Sequence, residues 1–416
     1  MENKDYVKNI CQKAKEAKKI VSTLSTNQKN DALKQMAKFI HDEREWIITE
    51  NLKDLSTGEE KGLTKAMLDR LKLDHKRIGN ICESLREVIN LPDPVFEVLN
   101  QSRRPNGLNI GQMRVPIGVI GIIYESRPNV TTEASSLCLK TSNVTILRGG
   151  SESIHSNRAL VKLLKESLVK SDLPETAINF IDSIDRSHVM EMLKMKDYID
   201  LIIPRGGEGL INTVVDNSNI PVIKHDKGVC NLYIHEDAEQ KMAESIAINA
   251  KVQRPSVCNA IENLIIHESY PHINNLFNAL IDQNVELRGC KKSQSINNKI
   301  KSASEEDYYT EYLDYILSIK IVSSYEEAVN FIEKYGSSHS DAIITENYSL
   351  AHRFLNEIDS SAVYVNASTR FTDGQMFGMG AEIGISTNKL HARGPMGLKE
   401  LTTKKFIIMG DGQVRT

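Results

Sequence analysis

Between residues 5 and about 89, apolar positions recur every three or four residues, through Ile20, Leu24, Leu33, Met36, Ile40 and Ile47, with Lys and Glu between them. That period places the apolar side chains on one stripe of an α-helix, so the stretch reads as a run of amphipathic helices. His41 and His75 fall on its polar side. Leu91-Pro92-Asp93-Pro94 ends the run, because proline cannot sit inside a helix. Over residues 108–115 the period drops to two: Leu108, Ile110 and Met113 alternate with Asn109, Gly111 and Arg114. This predicts a strand in a hairpin or an extending arm. Residues 115–124 are then almost continuously apolar and β-branched, which reads as one buried strand.

From there to Ile223, strand-like runs at 143–147, 177–181, 200–203 and 220–223 alternate with helical stretches. Such alternation predicts a doubly wound, mostly parallel α/β sheet. Arg148-Gly149-Gly150 and Pro204-Arg205-Gly206-Gly207-Glu208-Gly209 are glycine-rich turns that open helices. Free N–H groups and the helix dipole favour anions at such turns, although neither is a GxGxxG. A second α/β segment runs from Cys230 to about Val363 and holds a Lys- and Ser-rich exposed loop or helix at 289–307. A strand at 363–371 leads into an irregular stretch with Gly374, Gly378, Gly380, Gly384, Gly394 and Gly397. Loops that long are usually functional. The last strand-like run, 405–409, suits pairing with another subunit. The boundaries this pattern implies are a first domain at 1–229, with 100–116 contributing to an arm, a second domain at 230–362, and a return segment with the final strand at 363–416.

Composition then removes several classes of function. The chain has 416 residues, enough for two or more domains, with 40% hydrophobic and 26% charged residues. A net charge of -3 gives no reason to expect nucleic acid or an anionic membrane as partner. No apolar run approaches the roughly 18 residues of a membrane span. The polar start, Met1-Glu2-Asn3-Lys4-Asp5, does not read as a signal peptide. Six scattered cysteines, none in a CxxC pair, argue against a disulfide framework or a metal site. These features predict a cytoplasmic enzyme.

One stretch looks made for chemistry: Gln253-Arg254-Pro255-Ser256-Val257-Cys258-Asn259-Ala260, between a helix-like run and an apolar strand. A cysteine at such a junction projects well into a cleft. As a nucleophile it needs its thiolate stabilised by backbone N–H groups or cations. Taken as a lone cysteine it reads more readily as a buried structural thiol.

Residues Tyr124-Glu125-Ser126-Arg127-Pro128-Asn129-Val130-Thr131 carry a resemblance that removes this ambiguity. With LCLKTSNVTILRGG, YIDLIIPRGGEGL, NAKVQRPSVCNA, YGSSHSDAIIT, SSAVYVNASTRFTDGQMFGMGAE and KLHARGPMGLKELTT, they resemble the gamma-glutamyl phosphate reductase (glutamate-5-semialdehyde dehydrogenase) family of the aldehyde dehydrogenase superfamily. The resemblance runs from about Asn109 to the end of the chain. It implies a Rossmann-type nucleotide-binding domain, an α/β catalytic domain and a small β oligomerisation arm built from strands near 108–115 and at the end of the chain, hence a homo-oligomer. It places Cys258 on the family's nucleophile and Asn129 on the asparagine that helps bind the oxyanion. Gly149, Gly150, Ser151, Gly206, Gly207 and Glu311 fall at cofactor positions. The cofactor implied is NADP, with NAD the alternative. The substrate implied is L-glutamyl 5-phosphate, an acyl phosphate in proline biosynthesis, received from glutamate 5-kinase with channelling possible. Arg127, Arg254 and Arg370 are candidates for its carboxylate and phosphate, since a guanidinium binds two oxygens at once. His339 reads as an orienting, structural residue.

Three departures bear on this reading. Ser151 stands where family members often carry a lysine suited to a 2′-phosphate, so Arg148 or Lys140 would have to supply positive charge. Phe331 replaces a usual histidine, which points to packing. Lys224 occupies the neighbourhood where hydrolytic relatives keep a glutamate base, with His225 and Asp226 next in line. A hydrolytic aldehyde dehydrogenase needs that base; a non-catalytic binding protein would have lost Cys258 and Asn129.

Overall fold

The structure is a computed structural model that describes residues 2–224 and 227–415. Five helices open the chain: α1 (Glu2–Val21), α2 (Thr26–Asp42), α3 (Arg44–Glu60), α4 (Lys65–Leu71) and α5 (His75–Asn90). α2 begins where Ser25 and Gln28 satisfy each other's backbone in a capping box, and it buries Ala32, Leu33, Met36, Ala37 and Ile40. α5 begins at Asp74, whose carboxylate accepts the Arg77 N–H at 2.9 Å. Buried polar contacts fasten α2 to the loop after α5 and to the turn at Ser142. Lys29 bonds Asp93 at 2.5 Å and Ser142 Oγ at 3.0 Å.

The alternating segment follows as β1 (Val98–Arg103), β2 (Asn109–Pro116), β3 (Val119–Tyr124), α6 (Asn129–Lys140), β4 (Val144–Gly149), α7 (Ile154–Lys170), β5 (Ile178–Phe180), α8 (Ser187–Met192), β6 (Leu201–Arg205) and α9 (Glu208–Asn217). Strands β3 to β6 form a parallel sheet in the order β5-β4-β3-β6. The single strand expected over 115–124 is two. Gly118 breaks it at φ 136°, and a Cβ there would fall 2.0 Å from Asp200 Oδ2, which caps the Val119 N–H at 2.8 Å. The strand expected at 220–223 is an isolated bridge, Ile202 to Val222, since Pro221 has no N–H to continue a ladder.

The next segment comprises β7 (Cys230–Ile234), α10 (Gln240–Val252), β8 (Ile261–His267), α11 (Ile273–Asp282), β9 (Glu286–Gly289), α12 (Lys291–Ile296), β10 (Lys301–Ser302), α13 (Glu305–Tyr309), β11 (Ile316–Val322), α14 (Tyr325–Tyr335), β12 (Ser340–Ile344), α15 (Tyr348–Glu357) and β13 (Ala362–Val365). Its seven strands are all parallel, in the order β10-β9-β11-β8-β7-β12-β13. β7, β8 and β12 are buried along their whole length, as expected of strands covered on both faces. β14 (Ile385–Ser386) and β15 (Gly394–Pro395) pair in the glycine-rich stretch, and β16 (Thr402–Met409) closes the chain. β16 and β1 flank β2 in an antiparallel three-stranded sheet.

Two compact units result: Met1–Lys224 with Gly378–Gly384 and Met396–Thr416, and His225–Phe377 with Ile385–Pro395. The chain past 363 is therefore not one return segment. It alternates between the units, because the glycine-rich stretch contributes separate pieces to each.

Candidate active site

Cys258 lies in the turn between α10 and β8, half-buried. In this unit the turn sits at the N-terminal end of β8, beside the starts of β7 and β12. What holds it is a set of contacts from the turn after β13. Asn259, the next residue, is 5% exposed and donates from Nδ2 to the Thr372 carbonyl at 2.8 Å. Thr369 Oγ1 donates to the Asn259 carbonyl at 2.7 Å. Arg370 donates from Nε to Gln253 Oε1 at 2.9 Å and from Nη1 to Asn259 Oδ1. Residues 253, 259, 369, 370 and 372 thus form one staple around the cysteine. Burial and then the charge of Arg254 pull the Arg370 pKa down, against an upward pull from Cys258. The Arg370 guanidinium is therefore within electrostatic reach of both Arg254 and Cys258.

His339 is fully buried before β12, its Nδ1 2.8 Å from Ser340 Oγ and 3.6 Å from Cys230 Sγ. Phe331 packs edge-on against Tyr308 with ring centroids 5.1 Å apart, and against Tyr335 at 4.5 Å. Glu311 lies in the loop between α13 and β11. Its neighbour Tyr312 is anchored to Asp307 at 2.7 Å and Ser318 at 2.9 Å. Glu311 adds an upward pull on buried Glu262, which burial already pushes up to about 7 despite its 2.6 Å contact with Lys251.

In the other unit, the glycine turns and the 125–128 loop stand at the C-terminal ends of β3, β4 and β6, where open α/β sheets bind ligands. Asn129 is the first residue of α6, and its Nδ2 donates to Glu133 Oε1 at 2.8 Å. The Gly207 N–H, at the N-cap of α9, donates to Glu125 Oε2 at 2.9 Å. A Cβ on Gly206 would meet that carboxylate at 2.5 Å and Leu210 at 2.7 Å. The turn already accepts an anionic oxygen, so its residues fit a phosphate-bearing cofactor. Gly149 also serves the packing. A Cβ there would overlap Asn157 Nδ2 at 2.1 Å and crowd Tyr124, so this glycine lets helix and strand close. After Gly150, Ser151 opens a 3₁₀ turn with its side chain exposed. Glu152 reaches back to accept the Ser126 N–H at 2.6 Å and Oγ–H at 2.8 Å.

The two substitute cations expected near Ser151 are committed elsewhere. Lys140 is buried against Asn30 Oδ1 at 2.7 Å and the Ile89 carbonyl at 2.9 Å. Arg148 is 6% exposed and donates to the Gly149 carbonyl at 2.7 Å. Arg127 is half-buried in the loop before α6. Lys224 is half-buried just past the Val222 bridge, and His225 and Asp226 lie outside the described residues.

The aldehyde dehydrogenase family model matches residues 1–294. A gamma-glutamyl phosphate reductase from Sulfurihydrogenibium sp. (strain YO3AOP1) is 54% identical over 428 positions, covering 100% of this chain and 95% of the relative. Another, from Carboxydothermus hydrogenoformans, is 54% identical and covers 99% of this chain and 100% of its own. This chain belongs to the gamma-glutamyl phosphate reductase family of the aldehyde dehydrogenases. It is an oxidoreductase with that family's mixed α/β fold, as the sequence pattern and resemblance implied. The crystal structure of a Thermotoga maritima gamma-glutamyl phosphate reductase matches it with TM-score 0.97 at 46% identity, over 99% of this chain and 100% of that one. An acetylating aldehyde dehydrogenase from Geobacillus thermoglucosidasius matches with TM-score 0.71 at 16% identity, over 100% and 98%, and shows the shared fold alone.

Several residues around Cys258 had no role assigned from the sequence. Asn259, Gln253 and Thr372 gain their roles only when the turn after β13 folds back onto residues 253–259. Glu125 stood inside the recognised YESRP motif, but nothing in its spacing pointed at the Gly207 N–H. Among the described residues, no group of three or more His, Cys, Asp or Glu could hold a metal. No described helix is long and apolar enough to cross a membrane.

Proposed function

We propose that this chain reduces L-glutamyl 5-phosphate to L-glutamate 5-semialdehyde and phosphate in proline biosynthesis, through a thioester on Cys258. The observation that carries this is the Cys258 turn, held on either side of the cysteine at Gln253 and Asn259 by Arg370, whose guanidinium lies within electrostatic reach of the sulfur. Cationic charge near the sulfur favours the thiolate and draws in an anionic substrate. The Cys258 sulfur attacks the acyl carbon; the bond to the phosphate oxygen breaks, and phosphate leaves with the electron pair. The reduced nicotinamide, when bound, supplies the hydride that takes the thioester to the aldehyde level. The Cys258 thiolate then departs as the semialdehyde carbonyl forms.

Charge builds on the substrate oxygen at each addition, and the Asn129 amide is the donor assigned to it. One of its two amide hydrogens goes to Glu133, which leaves a second to give. Such a donor is typically worth about 3–4 kcal/mol. Arg127 and Arg254 are assigned to the substrate's carboxylate and phosphate. Arg370, assigned there from the motif, has its guanidinium engaged by Gln253 and Asn259, so its part is to hold the turn and supply charge. Gly150, Ser151, Gly206 and Gly207 hold the cofactor, with Glu311 on its ribose; the resemblance favours NADP, with NAD accommodated at Ser151.

The reading extends to a cytoplasmic homo-oligomer that takes its acyl phosphate from glutamate 5-kinase. β16 supports the oligomer: one side pairs with β2, and Phe406, Ile408 and Met409 are exposed along it. The test is the reverse reaction of the purified chain, semialdehyde with phosphate and NADP, followed as cofactor reduction. Cys258→Ala should abolish it with the fold intact by circular dichroism. Near-normal turnover in that variant would remove the nucleophile assignment.

A further inference from the structure

The nucleophile's backbone is held by a second thiol that the reaction itself does not use. Gly228 and Cys230 flank the start of β7. A Cβ built on Gly228 would lie 2.0 Å from the Cys258 carbonyl oxygen and 2.6 Å from its carbonyl carbon and Cα. Those are backbone atoms, which cannot swing aside as a side-chain tip can, so only glycine fits. Into the same carbonyl, from two residues further on, Cys230 Sγ donates at 3.1 Å. Cys230 is fully buried, and burial with the charge of Asp341 pushes its thiol well above the usual range, so the S–H proton stays in place to be donated.

Behind Cys230 runs a buried polar chain. His339 Nδ1 lies 3.6 Å from Cys230 Sγ and 2.8 Å from Ser340 Oγ; Ser340 Oγ meets Thr372 Oγ1 at 2.7 Å, which meets the Tyr364 hydroxyl at 2.7 Å. Thr372 then closes the circuit through its own carbonyl, which accepts the Asn259 amide. The peptide joining Cys258 to Asn259 is therefore gripped at its carbonyl by Cys230 and at the following side chain by Thr372. We propose that Cys230 is a positioning residue for Cys258, fixing the nucleophile's backbone through its carbonyl across the contact that Gly228 permits. The proposal rests on the reading of Cys258 as nucleophile. Its consequence is kinetic, because a misplacement of about 1 Å at a reacting group costs about 100-fold in rate. A cysteine that merely fills space would matter to stability alone.

The test compares Cys230→Ser, which keeps a donor, with Cys230→Ala and Cys230→Val, which lose it; Val also fills the space. Cys258→Ala and Gly228→Ala are run beside them. Measured are kcat, KM, thermal midpoint, and the rate of Cys258 alkylation by iodoacetamide across pH. Expected are kcat values down about tenfold or more in Ala and Val with KM changed less than about twofold, and recovery to within about threefold in Ser. Alkylation should follow the same order, and Gly228→Ala should lose more than any of them. Equal kcat in Ser and Val, or an Ala form within twofold of the parent, overturns the positioning role while an inactive Cys258→Ala leaves the nucleophile standing. An active Cys258→Ala overturns the underlying reading instead. If the Ala form does not fold, the Ser and Val pair decides alone.

Discussion

Replacing Asn259 by alanine should disturb both the stability of its unit and the reactivity of its neighbour. The side chain is 5% exposed and makes two strong contacts, to the Thr372 carbonyl at 2.8 Å and to the Arg370 guanidinium. Removing the first leaves the carbonyl of a fully buried residue without its donor, which costs about 1–3 kcal/mol. Removing the second forfeits a charge-assisted bond, near the low end of about 1.5–3 kcal/mol because the half-buried arginine regains water. Together these come to about 3–4 kcal/mol. At about 2–4 °C per kcal/mol for a unit of this size, the calorimetric transition should fall by about 6–16 °C. Asn259→Asp should be no milder. It keeps an acceptor for Arg370 but turns a carboxylate oxygen toward the Thr372 carbonyl. Scanning calorimetry with Cys258 alkylation on the same samples reads both effects. A drop under about 3 °C with unchanged alkylation would refute the staple.

Three further outcomes follow from other sites. Ser151→Lys should raise the NADP-to-NAD ratio of kcat/KM about fivefold, since a partly exposed charge pair is worth up to about 1 kcal/mol; an unchanged ratio means this turn does not read the ribose. Glu125→Gln removes the carboxylate from the N-terminus of α9 and should tighten dinucleotide binding about two- to fivefold in calorimetric titration, with weaker or equal binding counting against competition at Gly207. Glu262, raised from 4.5 to about 7, binds its proton more tightly folded than unfolded, so its contribution to stability is full below pH 4.5 and lost as pH rises through about 7. Glu262→Gln, though less stable overall beside buried Lys251, should therefore lose less of its melting temperature between those pH values than the parent loses, and an identical slope would exclude Glu262 as the titrating group.

Much of the architecture was legible from periodicity because the elements are locally consistent. α2 has its capping box, its apolar stripe and a clean stop, and β3 is unbroken apolar sequence buried along its whole length. Misreadings fell where tertiary structure overrides a local pattern. Residues 115–124 look like one strand until Asp200 packs against Gly118, and 220–223 look like a strand until Pro221 withholds its N–H. Lys140 looked available for a phosphate, yet it is spent on Asn30 and the Ile89 carbonyl. Cysteine, asparagine and the glycine turns announced themselves as motifs. Their supports did not, since Cys230, Thr372 and Gln253 act through contacts with no fixed sequence spacing, and Gly228 matters only because another backbone passes within touching distance.

In the proposed reaction Cys258 forms a thioester meant for phosphate rather than water. By the resemblance, Lys224 falls in the neighbourhood where hydrolytic relatives keep a carboxylate base, and an ammonium there has no lone pair to take a proton from water. The direct measurement supplies purified protein with semialdehyde and oxidised cofactor, and follows cofactor reduction with and without inorganic phosphate or arsenate. Sustained turnover is expected only when the anion is present, with about one equivalent of cofactor reduced per active site in its absence. Fast multiple turnover in phosphate-free buffer, with free glutamate accumulating, would contradict it.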